Sequence, residues 1–144
     1  MQLLRYMASI PVTRASLIYP FAYMILIFGL SSIPGSPPSP HEPHLLRWLS
    51  IAFMNSLHIP LFAGLAWCWR WSLTAVIKNT RLVMVLAFCL TIAYGMLDEW
   101  HQIITPHRTS SLLDLLLDAT GALIALWLFS RYSATREIHT QTNV

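Results

Sequence analysis

The residues best suited to chemistry lie close together in Asp98–Gly121, DEWHQIITPHRTSSLLDLLLDATG. This stretch holds four of the six acidic residues and two of the six histidines of a 144-residue chain. Asp98 and Gln102 stand four apart and Glu99 and Gln102 three apart, so a helix carries all three along one face. Asp114, Asp118 and Gly121 follow the same four-and-three spacing and line one face of the next helix. Arg108 lies on the turn between them. A guanidinium there can bridge two carboxylates through a bidentate fork. It can equally grip a phosphate or carboxylate of a ligand.

If the two faces meet, Glu99 and Asp114 form a carboxylate pair whose different environments can divide acid and base roles. His58, on an earlier apolar run, is the proton shuttle. Gln102, Asp118 and Asp98 join Arg108 in holding a substrate. The plainer alternative is an ion-paired clasp that fixes the hairpin. Asp114 is then a first-turn anion, Ser110 or Ser111 the N-cap, and His58 a hydrogen-bonded core histidine. His101 falls one place off the Glu99–Gln102 face. His41, His44 and His107 read as solvated loop residues.

Charged residues make up 10% and apolar residues 56% of the chain, with mean hydropathy +0.56. A soluble domain has about 25% charged residues, so this composition points to one integral membrane domain. A net charge of +3, scattered along the chain, gives no nucleic-acid footprint. Cys68 and Cys89 sit inside apolar runs and read as small buried side chains. No CxxC, P-loop, GxSxG or HExxH is present. Gly95 and Gly121 read as close-packing positions.

Four apolar stretches must position the polar ones: about 15–33, 51–69, 81–103 and 112–130, with a polar tail at 131–144. Nineteen residues span about 30 Å, the thickness of a hydrocarbon core. The first run is long for a signal peptide, and no A-x-A site follows it. Ser31–His44 is proline-rich and extended, and Leu45–Trp48 fits an interfacial turn. Trp67, Trp69 and Trp71 suggest an aromatic belt, and Arg70–Arg81 a short basic loop. The expected fold is all-α, a four-transmembrane-helix bundle. Seven Lys/Arg fall on the side of both termini and two on the other (Arg47 and Arg108), which predicts cytoplasmic termini, N-in/C-in. His58, Asp98, Glu99, Gln102, Arg108, Asp114 and Asp118 then share one depth, just under the outer surface.

These residues resemble the VanZ-like family of small membrane proteins. The family pattern is an acid, two residues, Gln, a Pro-Gly-Arg turn, then Asp, Asn or Asp, and Gly. Here it reads Glu99, Gln102, Pro106, Arg108, Asp114, Asp118 and Gly121, with every spacing kept. Ser31 to Pro34 fits the end of the family's first helix, and His58 fits a histidine of its second. His107 stands where the family usually has Gly, and Asn55 where a Lys commonly precedes the histidine.

The resemblance implies a multi-pass protein of the cytoplasmic membrane, acting in the cell envelope or in tolerance of glycopeptides such as teicoplanin. The alternative is a membrane enzyme performing hydrolysis or group transfer on a polar lipid or lipid-linked glycan. Expected partners are the bilayer and an anionic lipid or lipid-linked glycan, with no nucleic acid. His58, Asp98, Glu99, His101 and the later aspartates can all ligate Mg, Mn, Ca or Zn. Their spacing is not diagnostic, so no metal is assigned. The sequence specifies neither a cofactor nor an oligomeric state.

Overall fold

The computed structural model describes residues 12–35, 43, 45, 53–108 and 110–141, with residues 132–141 described by backbone alone. A 3-10 turn, Arg14–Leu17, leads into α1 (Ile18–Ser31). Then follow α2 (His58–Leu73), α3 (Thr80–Ile104) and α4 (Leu112–Gln141). No strand occurs among the described residues. Three segments are long and apolar enough to cross a membrane: Arg14–Ser31, Thr80–Ile104 and Leu112–Arg131.

The packing is inverted relative to a water-soluble protein. Large apolar side chains face outward on the three long segments, among them Ile25, Trp100 and Leu112 at 72%, 70% and 75% exposure. Polar side chains lie inside, including Asp98, Glu99, Gln102, Asp114 and Asp118. Water would penalise so much exposed hydrocarbon, and lipid does not. The protein is an all-helical, multi-pass membrane protein.

Helix α2 lies innermost, and its broadest contact is with α4. It starts later than the apolar run suggests. Helical residues 53–56 precede a turn at Leu57, and the regular helix begins only at His58. Pro60 explains the break: it has no N–H to give the carbonyl of residue 56, and its ring crowds that carbonyl. In the first turn of a helix neither fault matters, so the helix begins there.

Other details depart from the sequence reading. Arg70 belongs to α2, not to a loop, and is buried with its guanidinium 3.6 Å from the Phe129 ring centroid. A flat, weakly hydrated guanidinium tolerates such a stacked site. Of the three tryptophans expected in an aromatic belt, Trp67 and Trp71 are half-buried and Trp69 is enclosed. Trp69 is buried against Phe21, Trp67 meets Phe129, and Trp71 meets Tyr19. Cys89 is exposed on α3 and Cys68 half-buried, so neither is a fully enclosed core residue. Helix α4 continues through residues read as tail, to Gln141. The interfacial turn expected at Leu45–Trp48, with His41 and His44, falls almost wholly outside the described residues.

Candidate functional site

Helix α4 starts cleanly. Ser111 is its N-cap, with Oγ accepting from the Leu113 N–H at 3.0 Å. The Ser111 N–H itself donates to Glu99 Oε2 at 2.8 Å. The end of α3 is thereby stitched to the start of α4, and Glu99 comes to face Asp114 and Asp118 across the seam. Both sequence-derived faces form. On α3, the Gln102 amide donates to Asp98 Oδ2 at 3.0 Å, one helical turn away. On α4, Asp114 and Asp118 are both buried, Asp118 completely.

Two glycines let the third element in. A Cβ on Gly121 would run into the Ile59 carbonyl, so only glycine allows the first turn of α2 to lie against α4. A Cβ on Gly95 would stand 2.8 Å from Asp118 Oδ2. The space these glycines leave is what the carboxylate and the incoming helix occupy. His58, the first residue of α2, then places Nδ1 2.8 Å from Asp118 Oδ1. Its ring also stacks on Phe62 at an interplanar angle of 4°.

Glu99 and Asp114 complete the group: they and His58 each bring one nitrogen or oxygen to within 4.8 Å of the others, and all three are buried. Glu99 Oε1, Asp114 Oδ1, Asp118 Oδ2 and Asp98 Oδ1 are buried without a hydrogen-bond partner. Among the described residues, the ion pair found for these four carboxylates is His58–Asp118. A purely structural clasp would be expected to pair its charges, because a buried carboxylate without a partner is costly.

Arg108 does not make the carboxylate fork. Its Nε donates to the Ile33 carbonyl at 3.1 Å and a terminal nitrogen donates to the Leu30 carbonyl at 3.3 Å. The last carbonyls of a helix lack intrahelical donors, and Arg108 supplies them at the end of α1. The adjoining turn adds a second tie, Gly35 N–H to the Pro106 carbonyl at 3.0 Å. A Cβ on Gly35 would meet the His107 carbonyl. His107 has φ +59°, in the left-handed region. The turn therefore keeps the backbone shape that a glycine adopts freely, with a residue that adopts it at some cost.

His101 also has a partner that the sequence did not reveal. Its Nε2 is 3.0 Å from Ser32 Oγ, and Phe28 packs on its ring at 4.4 Å between centroids. Neither Ser32 nor Phe28 could have been singled out beforehand, since the link depends on where α1 ends in space. A cavity of about 130 Å³ opens beside the cluster, with His58, Asp98, Arg108 and Ser31 among mostly apolar walls. Of the sequence-derived residues, His58, Glu99, Asp114 and Asp118 form one cluster. Asp98 borders the cavity together with His58 and Arg108, and Gln102 reaches the site through Asp98.

This helical architecture and its buried polar seam define a membrane protein with an internal polar cluster. The VanZ/LLP1 family matches residues 16–133, and the chain belongs to that family. No curated protein and no solved structure gives a match.

Proposed function

We propose that this chain is an enzyme of the cell envelope that performs hydrolysis or group transfer on a polar lipid or lipid-linked glycan. It crosses the cytoplasmic membrane four times, with α2 and the helical residues before it as the fourth crossing and both termini in the cytoplasm. The excess of Lys/Arg on that side supports this orientation, and it puts the site beneath the outer leaflet.

One observation carries the reading. His58, Glu99 and Asp114 converge within 4.8 Å, and both carboxylates keep an unpartnered buried oxygen. Groups held so close with spare acceptors can exchange protons with a substrate. Glu99 and Asp114 divide the acid and base roles. His58 relays the proton, its ring fixed by Asp118 through Nδ1. The cavity beside them takes the headgroup. Asp98, held by Gln102, meets its polar part, and any guanidinium N–H of Arg108 not used on α1 meets an anionic group.

The test compares lipid extracts of cells carrying the native chain, the Glu99→Gln variant, or no copy. The reading expects one lipid or lipid-linked precursor to accumulate equally in the last two. If no envelope lipid changes, the proposal fails.

A second reading, a non-catalytic clamp that alters susceptibility to a glycopeptide, draws on the mostly apolar cavity, which suits binding without chemistry. Full function in Glu99→Gln cells would favour it, because that substitution keeps shape and removes charge.

A further inference from the structure

We propose that His58, Glu99 and Asp114 form a binding site for one divalent cation of the zinc or manganese class. The donor set is one imidazole and two carboxylates, from the start of α2, the end of α3 and the start of α4. Three protein ligands with further positions open is the arrangement of a catalytic rather than a structural metal site. Mixed nitrogen and oxygen donors select zinc or manganese over calcium.

Three independent features point to an ion. First, the ligand atoms lie within 4.8 Å of one another. Three evenly spaced donors each about 2.1 Å from one ion lie at most about 3.6 Å apart, so side-chain movements of roughly an ångström close the set. Second, Glu99 Oε1 and Asp114 Oδ1 are buried with no hydrogen-bond partner, on residues only 7% and 4% exposed. Such atoms normally have partners, and a cation would supply one to both. Third, the histidine has a carboxylate behind it. Asp118 occupies its Nδ1 at 2.8 Å, which leaves Nε2 to coordinate. A carboxylate behind a metal-binding histidine fixes its tautomer and strengthens it as a donor. Arg108, turned to the α1 carbonyls, makes no ion pair with Glu99 or Asp114.

The inference goes beyond the enzymatic reading. It makes His58, Glu99 and Asp114 ligands in place of the proton-transfer roles given them above, and it is tested without any substrate. The full-length protein is purified in detergent, stripped with chelator and dialysed separately against Zn²⁺, Mn²⁺, Mg²⁺ and Ca²⁺. Bound metal is counted by mass spectrometry. The expected result is one Zn²⁺ or Mn²⁺ per chain, with Mg²⁺ and Ca²⁺ bound at least tenfold more weakly. Glu99→Gln and Asp114→Asn each abolish stoichiometric binding. Asp118→Asn, which alters the partner of His58 Nδ1, weakens it about 10- to 100-fold, while His101→Gln leaves it unchanged.

Because a ligand variant can misfold, a second measurement uses the native protein alone. The spin-resonance signal of Mn²⁺ should change from that of the hydrated ion to an immobilised spectrum, and one equivalent of Zn²⁺ should reverse it. Absence of a bound signal in the native protein overturns the proposal, as does metal retained unchanged in Glu99→Gln/Asp114→Asn. Metal binding without any lipid phenotype would uphold the site and reject the enzyme. A lipid phenotype in a protein that binds no metal would do the reverse.

Discussion

His58 Nδ1 and Asp118 Oδ1 are 2.8 Å apart although sixty residues separate them in the chain. This contact joins α2 to α4 at a point where Asp118 has no solvent exposure. Replacing His58 by Phe keeps a ring that can stack on Phe62 but strands the carboxylate. We expect a loss of about 1–3 kcal/mol, the usual penalty for an unsatisfied buried group. The double variant His58→Phe/Asp118→Leu should recover part of it. Thermal unfolding in detergent, analysed as a double-mutant cycle, measures the coupling.

Gly121 and Gly29 make a matched pair of probes. An alanine at Gly121 pushes its methyl into the Ile59 carbonyl, whereas one at Gly29 meets nothing within 4 Å. Gly121→Ala should therefore destabilise by about 1–3 kcal/mol through overpacking. Gly29→Ala should stabilise slightly, by up to about 1 kcal/mol, through helix propensity. Equal melting temperatures for the two variants would contradict the packing described for α2 and α4.

His107 holds φ +59° with a full side chain. The left-handed conformation costs an L-residue about 1–2 kcal/mol, and glycine gives back about 0.4–1 kcal/mol through the freedom of its unfolded chain. His107→Gly should thus raise stability by up to about 1 kcal/mol. His107→Val, β-branched at the same backbone angle, should lower it. A melting series over the three residues reads the order directly.

Arg108 caps α1 through two carbonyls. Lysine offers a single ammonium in place of a planar fork, so Arg108→Lys should behave almost like Arg108→Ala. Both should loosen the end of α1 at a cost of about 1 kcal/mol, towards the low side for charged hydrogen bonds because the group is partly exposed. A cysteine pair replacing Ser32 and His101, whose side chains touch at 3.0 Å, reports the loosening as slower crosslinking.

The α3 and α4 faces were legible because a helix converts spacing directly into alignment: Asp98 with Gln102, and Asp114 with Asp118, needed only the 3.6-residue period. Even the meeting of His58 with Asp118 was within reach, since both sit at matching depths in the second and fourth apolar runs. The Arg108 partners were not. They are backbone carbonyls, identical in every residue, and only the position of the α1 terminus selects Leu30 and Ile33. Arg70 was misplaced for a related reason. Its partner Phe129 lies far along the chain, and a cation stacked on a ring carries no mark in local composition. The late start of α2 is written in Pro60, which fits only the first turn of a regular helix.

The sixty-residue gap between His58 and Asp118 also sets an order of events during synthesis. A ribosome adding about 5–20 residues per second leaves the imidazole waiting some 3–12 seconds for its carboxylate. Throughout that interval α2 is made but lacks the carboxylate that fixes its first residue. A chain that stalls before α4 therefore leaves His58 without its carboxylate.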